Sequence, residues 1–245
     1  MNLYVITGTT KGLGQALSAQ VARDPANYLV ALSRAAEDAV PGGTLLSVDL
    51  GDAGAAAGVG SRIERAIAGR TFEKAVLINN AGVVSPVGPL DAVDAAELAR
   101  NLAVNLTAPM IVMGGFLRAT AAVPLRRVIN ISSGAGRRPI FGWGAYCAAK
   151  AGLDMASRVA AAEAATRGQS IHVVSLAPGV IDTPMQGVVR GASPEAFVDV
   201  ERFRKMKEEG VLRPPDDVAR DILALEAAGR LDGKDAVLDL RELGA

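Results

Sequence analysis

The chain has 245 residues, half of them hydrophobic, which is enough to bury a sizeable core in one large domain without disulfides. Lysine plus arginine and aspartate plus glutamate each total 26, so the formal net charge is zero, which gives no electrostatic reason to expect nucleic acid or an anionic membrane as a partner. A single cysteine, Cys147, and a single histidine, His172, exclude an intramolecular disulfide and a Cys/His zinc cluster.

Short apolar runs rich in β-branched residues alternate with longer alanine-rich segments along the chain. Near-continuous apolar strands separated by helices are typical of a parallel sheet covered on both faces. Because no linker or repeat divides residues 1–245, we predict an α/β fold: a single-domain, Rossmann-like, doubly wound parallel sheet with helices on both faces. The predicted strands are Leu3–Thr7, Tyr28–Leu32, Thr44–Val48, Ala75–Ile78, Arg127–Ile131, Ile171–Leu176 and, more weakly, Ala236–Leu240. The predicted helices are Leu13–Ala22, Ala53–Ala68, Ala95–Leu117, Ala145–Ala165 and Pro215–Ala227.

One segment interrupts this alternation. Residues 178–213 carry Pro184, Pro194 and a charged cluster at Glu201–Glu209. We predict that the segment is an inserted helical lid over a substrate site.

A glycine-rich turn follows the first predicted strand and leads into the first helix. Its glycines, Gly8, Gly12 and Gly14, have the spacing Gly-x-x-x-Gly-x-Gly. Glycines permit a tight turn in which backbone N–H groups approach a pyrophosphate at the positive end of a helix. A purely structural turn is the alternative, but its place after the first strand of an α/β chain favours phosphate binding.

A second turn, Asn79–Gly82, follows the fourth strand and is either a ligand-facing segment or an ordinary strand end.

Tyr146 and Lys150 are four residues apart in a predicted helix and therefore lie on one face of it. A neighbouring ammonium favours the phenolate and lowers a tyrosine pKa from about 10 toward neutrality, although Tyr–Lys pairs are also common on helix surfaces. Ser133 follows the fifth strand and can reach the next helix, and Ser132 competes for the same role. Asn105 lies inside a predicted helix, although asparagine has a low helix propensity. A residue of this kind in a helix is found at functional sites and also at exposed positions.

The end of the second predicted strand indicates which nucleotide the chain binds. An NAD-preferring site usually has an acid about 20 residues after the glycine loop, whereas this strand ends on Ser33 and Arg34. Arg34 can pair with a 2′-phosphate, Ser33 can donate to it, and Lys11 can approach from the glycine loop. The sequence therefore predicts NADP(H) as the cofactor, and ordinary surface charges are the alternative interpretation of the two cations.

The order and spacing of these motifs resemble the short-chain dehydrogenase/reductase superfamily over essentially the whole chain. The resemblance implies that Tyr146 passes a proton to or from the substrate oxygen and that Ser133 holds that oxygen. It implies that Lys150 binds the nicotinamide ribose and lowers the tyrosine pKa, and that Asn105 holds a water. A serine 13 residues before the tyrosine is usual in the family, which favours Ser133 over Ser132.

The resemblance also implies a set of cofactor contacts. Asp49 and Leu50 would lie at the adenine, and Thr183 would bind the nicotinamide carboxamide. The predicted cofactor site is Gly8, Thr10, Lys11, Gly12, Leu13, Gly14, Ser33, Arg34, Asp49, Leu50, Asn80, Ala81, Gly82, Tyr146, Lys150, Pro178, Gly179, Val180, Ile181 and Thr183.

A closer resemblance surrounds the predicted site. Three stretches are similar to the sepiapterin reductase branch, and especially to its bacterial benzil reductases, which form (S)-benzoin. Phe141 and Trp143 would line the substrate cleft, where aromatic walls favour flat apolar substrates, although core packing explains Phe141 equally well. Asp239 is the nearest candidate for the acid that holds the pterin in sepiapterin reductases. The similar stretches are residues 129–136, 141–147 and 177–186. The predicted substrate residues are Ser133, Phe141, Trp143, Tyr146, Met185 and Asp239.

These residues predict an NADPH-dependent oxidoreductase that reduces a carbonyl, best an aromatic ketone or a 1,2-diketone such as benzil, to an alcohol. The alternatives are a sepiapterin-like pterin reductase, an oxidative NAD-dependent dehydrogenase, and a non-catalytic NADP(H)-binding sensor or scaffold. Small residues in the helix Ala145–Ala165 permit close approach of a second helix, so a homodimer through the helices Ala95–Leu117 and Ala145–Ala165 is expected, with a tetramer as the alternative.

The expected compartment is the cytoplasm. The chain begins with an apolar run that lacks the basic region and cleavage site of a secretory signal. No uninterrupted apolar stretch reaches the roughly 18 residues typical of a membrane span. We therefore expect a small-molecule carbonyl substrate and no membrane or nucleic-acid partner.

Overall fold

The computed structural model describes residues 1–34, 40–233 and 235–244. These residues form a seven-stranded parallel sheet in the order β3-β2-β1-β4-β5-β6-β7, so the predicted Rossmann-like α/β fold is confirmed. The strands are β1 (Asn2–Thr7), β2 (Asn27–Ser33), β3 (Gly43–Ser47), β4 (Lys74–Asn79), β5 (Leu125–Ile131), β6 (Ile171–Ala177) and β7 (Val237–Asp239). The helices are α1 (Gly12–Val21), α2 (Ala53–Ala57), α3 (Val59–Ile67), α4 (Ala95–Leu102), α5 (Ala108–Ala119), α6 (Gly144–Thr166), α7 (Pro184–Arg190), α8 (Val200–Glu208) and α9 (Pro215–Ala227).

Helices cover both faces of the sheet. Successive side chains of β1 point to opposite faces, so Leu3 and Val5 join an apolar core with α2, α3, α5 and α6. Tyr4 and Ile6 join a second core with α1 and α9. Burial on both faces is the reason that the strands appear in the sequence as continuous apolar runs.

The strand order reverses between β1 and β4, because the chain runs from β1 outward through β2 and β3 and then returns to pair on the other side. Ligands of open α/β sheets bind beyond the carboxyl ends of the strands at such a point. Gly8, Asn80, Ser133 and Pro178 follow β1, β4, β5 and β6 respectively. The topology therefore gathers the predicted site residues at one edge of the sheet.

Two helices differ from the prediction. The helix expected over Ala53–Ala68 is divided at Gly58 into α2 and α3. The helix expected over Ala95–Leu117 contains a π-helical turn at Ala103–Thr107, between α4 and α5. Within the described residues, Ala95–Ala119 is the one helical stretch long and apolar enough to cross a membrane. The sequence did not indicate it, because charged residues interrupt its apolar run. Core helices meet the same criterion, and 44% of its most apolar window is buried in the protein.

Residues 178–213, predicted as a lid, contain the short helices α7 and α8. A parallel bridge between Ile181 and Arg213 joins the two ends of the segment. Its buried Phe197 packs against Trp143 in a third apolar core, beside the predicted site. That this segment acts as a substrate lid stays a prediction.

Candidate active site

A cavity of about 460 Å³ opens at the carboxyl edge of the sheet. Its walls come from the turns that follow the strands and from residues 178–213. All residues predicted for the catalytic, cofactor and substrate sites line this cavity except Gly14, Asn105 and Phe141. The structure thus brings together in one cavity residues that the sequence distributes over most of the chain.

The glycine loop is packed so closely that a larger residue does not fit. Gly8 has a φ of +73°, and a Cβ atom there would lie 2.8 Å from the Cα of Ala81. A Cβ atom on Gly14 would lie 2.1 Å from the carbonyl oxygen of Gly8, so the first turn of α1 packs directly beneath the loop. This explains why Gly14 matters although it does not line the cavity. The resulting cradle at the N-terminus of a helix fits a pyrophosphate.

The Asn-Asn-Ala-Gly turn is bonded to the glycine loop. Thr7 Oγ1 accepts hydrogen bonds from the backbone N–H groups of Asn80, at 2.9 Å, and Ala81, at 3.0 Å. Asn80 Nδ2 donates to the carbonyl oxygens of Thr7, at 3.0 Å, and Gly8, at 3.2 Å. The turn therefore fixes the ends of β1 and β4 to each other and leaves Ala81 and Gly82 on the cavity wall.

Three residues predicted to select the nucleotide lie on the walls of the same cavity. Lys11, which directly precedes α1, and Arg34, which directly follows β2, are both exposed. Ser33, the last residue of β2, is buried. The two exposed cations can reach an anionic ligand group without a desolvation cost for buried charge.

Asp49, predicted at the adenine, is held by two neighbours. It accepts hydrogen bonds from the backbone N–H of Gly51, at 2.9 Å, and from Arg100 Nη2, at 3.1 Å. These bonds hold the pKa of Asp49 below its usual value, with the Gly51 N–H contributing most and burial opposing it. Arg100, on α4, also lines the cavity. No motif indicated Arg100, because its contact with Asp49 joins residues 51 apart in sequence.

Tyr146 and Lys150 are both buried on the inner face of α6, which excludes the interpretation of a surface pair. Lys150 Nζ lies 5.6 Å from the ring centroid of Tyr146 and donates a 2.7 Å hydrogen bond to the carbonyl oxygen of Ile131. Ser133 lies close enough to Tyr146 to lower its pKa. Three of the four predicted catalytic side chains are therefore neighbours in the cavity.

The pKa of Tyr146 depends mainly on burial. Burial raises it to about 12, and the hydrogen bond with Ser133 opposes that rise. Burial also lowers the pKa of Lys150 to about 8, against the opposing charge of Asp154. Burial of the phenol thus dominates the pKa of Tyr146, and the expected lowering of that pKa by Lys150 stays a prediction. At neutral pH the phenol is protonated.

The two adjacent serines face different partners. Ser132 Oγ donates a 2.5 Å hydrogen bond to Asp154 Oδ1 on α6. Ser133 Oγ accepts from the backbone N–H of Ala135, at 3.1 Å, and Ser133 lowers the pKa of Tyr146. This geometry favours Ser133 as the residue that contacts a substrate oxygen.

Asn105 is fully buried in the π-helical turn and does not line the cavity. Its Oδ1 accepts from the backbone N–H of Val83 at 3.0 Å, and its Nδ2 donates to the carbonyl oxygen of Val83 at 2.7 Å and to Asn101 Oδ1 at 2.8 Å. The side chain thus anchors the segment after β4. It lies directly behind Gly82, where a Cβ atom would be 3.0 Å from its Oδ1.

The cavity is lined by the aromatic side chains of Trp143 and Phe203 rather than by the expected pair, Trp143 and Phe141. Trp143 is buried, meets the Tyr146 ring edge-on at a centroid distance of 5.5 Å, and stacks on Phe197 at 5.0 Å. Phe141 is 52% exposed and lies outside the cavity, so its predicted place there is wrong. Phe203, on α8, lines the cavity instead. The sequence did not predict Phe203 as a cavity residue, because it lies within the charged cluster Glu201–Glu209.

Asp239 lines the cavity as predicted, but its carboxylate is already paired. Arg241 donates to it from Nε, at 2.8 Å, and Nη2, at 2.6 Å. This side-chain pairing is the main reason that the pKa of Asp239 lies below its usual value. Arg138 and Arg202 also line the cavity, although no motif indicated a cation there besides Lys150.

Comparisons with known proteins show which family the chain belongs to. The short chain dehydrogenase family model matches residues 2–193. The chain is 38% identical over 244 residues to benzil reductase ((S)-benzoin forming) of Bacillus subtilis (strain 168), covering 99% of each chain. It is 33% identical over 239 residues to sepiapterin reductase of Rattus norvegicus, covering 90% of this chain and 89% of that one.

A solved structure shows the same architecture. It is assigned as an NAD(P)-dependent gluconate 5-dehydrogenase from Beutenbergia cavernae, has NADP bound at low occupancy, and is 25% identical, with a TM-score of 0.75. The match covers 98% of this chain and 94% of that chain. Because the family model and the relatives extend over most of the chain, this protein belongs to the short-chain dehydrogenase/reductase family of nicotinamide-dependent oxidoreductases.

Proposed function

We propose that the protein uses NADPH to reduce a carbonyl group to an alcohol, with Tyr146 as the proton donor. The observation that carries the proposal is the buried phenol of Tyr146, which lines the cavity together with Ser133 and Lys150. Since the pKa of Tyr146 is about 12, the phenol holds its proton at neutral pH, as a proton donor must. When bound in this cavity, NADPH would supply the hydride for the carbonyl carbon.

The neighbouring side chains orient the substrate and stabilise charge. The Ser133 hydroxyl donates to the substrate carbonyl oxygen and so holds it near the Tyr146 hydroxyl. Lys150, whose pKa is about 8, is mostly protonated at pH 7, and its charge stabilises the tyrosinate that remains after proton transfer. Because both groups are buried, this charge acts through a poorly screening medium. By family resemblance Lys150 also binds the nicotinamide ribose.

The preference for NADPH over NADH rests on the end of β2. Arg34 and Ser33 stand there in place of an acid, and Lys11 lies on the wall of the same cavity. A guanidinium can bind a 2′-phosphate through two parallel hydrogen bonds, and an ammonium adds a second positive charge. The Beutenbergia cavernae structure with bound NADP supports the same choice.

We infer that the substrate is an aromatic ketone or a 1,2-diketone such as benzil. The cavity beside Tyr146 offers Trp143, Phe203 and the adaptable side chain of Met185, a wall that suits flat apolar molecules. The similarity to the Bacillus subtilis benzil reductase, over 99% of each chain, supports this substrate class. Residues 178–213 would exclude water during hydride transfer.

A substrate panel tests this proposal. NADPH oxidation should be followed with benzil, a small aliphatic ketone and a 2-oxo acid, and kcat/KM should be highest for benzil. Trp143→Ala should lower kcat/KM for benzil more than it lowers kcat/KM for the aliphatic ketone, because it removes the aromatic wall. The matched control is Phe141→Ala, which replaces an exposed ring outside the cavity. A higher kcat/KM for the aliphatic ketone or for the acid would contradict the proposed substrate class. The 2-oxo acid is included because Arg138 and Arg202 line the cavity and could bind its carboxylate.

A pterin carbonyl is the second candidate, favoured by the position of Asp239 on the cavity wall and by the similarity to rat sepiapterin reductase. To bind the pterin, the carboxylate of Asp239 would have to release its hydrogen bonds from Arg241. Adding sepiapterin to the panel separates the two candidates, since a pterin reductase should lose sepiapterin reduction in the Asp239→Asn variant while a benzil reductase keeps benzil reduction.

We also propose a homodimer formed through α5 and α6. Both helices present large apolar side chains to solvent, with Met110 47%, Met155 56% and Val159 49% exposed. Small residues on α6 permit close approach of a second helix. Sedimentation should show a dimer, and a tetramer would leave this interface in place. The cytoplasmic location expected from the sequence stays a prediction.

A further inference from the structure

A buried carboxylate that the proposed reaction does not use lies behind the catalytic residues. Asp154 is on α6, one helical turn after Lys150, and is 3% exposed. Its Oδ1 accepts hydrogen bonds from Ser132 Oγ, at 2.5 Å, and from Ser175 Oγ, at 2.6 Å. The carboxylate therefore connects α6 to the end of β5 and to β6, and Ser132 is the residue next to Ser133.

The charges around Asp154 neutralise it only in part. Arg137, in the turn after β5, places Nε 3.7 Å from Asp154 Oδ2, and its Nη1 lies 3.9 Å from Asp239. Asp239, at the end of β7, is itself paired with Arg241. On the same helix, Lys150 lies one turn before Asp154 and Arg158 one turn after it, and Arg158 is 3.9 Å from Asp235. One partly exposed guanidinium is thus shared between two carboxylates.

We propose that Asp154 is a positioning residue of the active site, which holds the Ser132–Ser133 turn through Ser132 and keeps the buried ammonium of Lys150 protonated through its negative charge. The inference rests on the proposed carbonyl reduction and assigns to this chain a further residue for that reaction. It differs from a purely structural role, in which Asp154 would join the strands and helix without affecting proton affinity in the cavity.

Two features of the structure support the electrostatic part. Lys150 is buried, its Nζ is bonded to the neutral carbonyl oxygen of Ile131, and burial favours loss of its proton. The charge of Asp154 acts against that loss, and interactions between charges on the same buried helix face are weakly screened. The positional part follows from the chain itself, because fixing Ser132 restricts where Ser133 can point.

The direct test is Asp154→Asn, which keeps the shape and an acceptor oxygen but removes the charge. Without that charge Lys150 loses its proton more readily, so the alkaline limb of the kcat profile should move to lower pH by on the order of one unit. The matched control is Ser175→Ala, which removes one hydrogen bond but keeps the charge. It should lower the melting temperature and leave the alkaline limb in place. An unmoved limb in a folded Asp154→Asn protein would overturn the proposal.

A second variant avoids substitution of the buried residue. Arg137→Gln removes the cation that screens Asp154 and adds to the positive potential, so the alkaline limb should move to higher pH. No movement, or movement in the same direction as for Asp154→Asn, would contradict the proposal.

A measurement without turnover separates this inference from the proposed function. The titration of Lys150 can be followed as the pH dependence of the difference in unfolding free energy between a protein and its Lys150→Met variant. In the Asp154→Asn background the midpoint of that titration should lie at lower pH than in the wild type. If no carbonyl compound is reduced but this midpoint moves, the proposed function fails while the coupling between Asp154 and Lys150 stands. Equal midpoints would refute the coupling itself.

Discussion

Lys150 is expected to destabilise the folded protein at neutral pH, and Lys150→Met should reveal by how much. The variant keeps the apolar stem of the side chain and removes its charge. Burial lowers the pKa of Lys150 from 10.5 to about 8, which corresponds to about 3 kcal/mol of cost for holding the proton in the folded state. Below pH 8 both the folded and the unfolded chains bind this proton, so the full cost is present. Between pH 8 and 10.5 the unfolded chain binds it more, so the contribution to stability rises with pH until the cost is gone.

The assay is urea unfolding of both proteins at a series of pH values and one protein concentration. The advantage of the variant over the wild type should shrink by about 3 kcal/mol between pH 7 and pH 10.5. A neutral amine can also donate the 2.7 Å hydrogen bond from Lys150 to Ile131, so this bond is kept, in a weaker form, when Lys150 loses its proton. A difference that stays constant over the same range would refute the argument that Lys150 is buried with a lowered pKa.

Three further predictions concern catalysis, cofactor choice and assembly. Ser133→Ala should lower kcat by about 100-fold or more, whereas Ser132→Ala should lower it less because Ser132 faces Asp154. If steady-state rates showed the reverse order, Ser132 rather than Ser133 would be the residue that holds the substrate oxygen. Arg34→Ala should weaken NADPH binding by about 10- to 100-fold, from the 1.5–3 kcal/mol of a charge-assisted hydrogen bond, and hardly affect NADH. Equal losses in fluorescence titrations would make Arg34 structural. Met155→Asp, which places a charge on the exposed apolar face of α6, should shift sedimentation toward the monomer, and an unchanged dimer would exclude that face.

The fold was predictable because its physical signals are local and repeated. Most strands are buried on both faces and are therefore largely apolar runs, whereas β3 and β7, at the two edges of the sheet, are only partly buried, which explains why β7 was predicted more weakly. The π-helical turn around Asn105 was not predictable, because its side chain bonds the backbone of Val83, 22 residues earlier. A tertiary contact of this kind leaves no periodic signal in the sequence.

The candidate site was predictable where the chemistry depends on spacing along one element. The glycine loop and the pair Tyr146 and Lys150 are of this kind. The sequence did not indicate Arg100 or Asp154, because each meets its partners across the fold. Nor could it give the direction of the tyrosine pKa, since that depends on how deeply the ring is buried.

The most direct test of the proposed reaction is Tyr146→Phe, which removes one hydroxyl and keeps the ring against Trp143. NADPH binding, measured by fluorescence, should stay within about twofold of the wild type, while kcat for benzil should fall by roughly 10²–10⁴-fold, the usual contribution of general acid catalysis. A variant that binds NADPH normally and retains more than about a tenth of the wild-type kcat would contradict the assignment of Tyr146 as the proton donor.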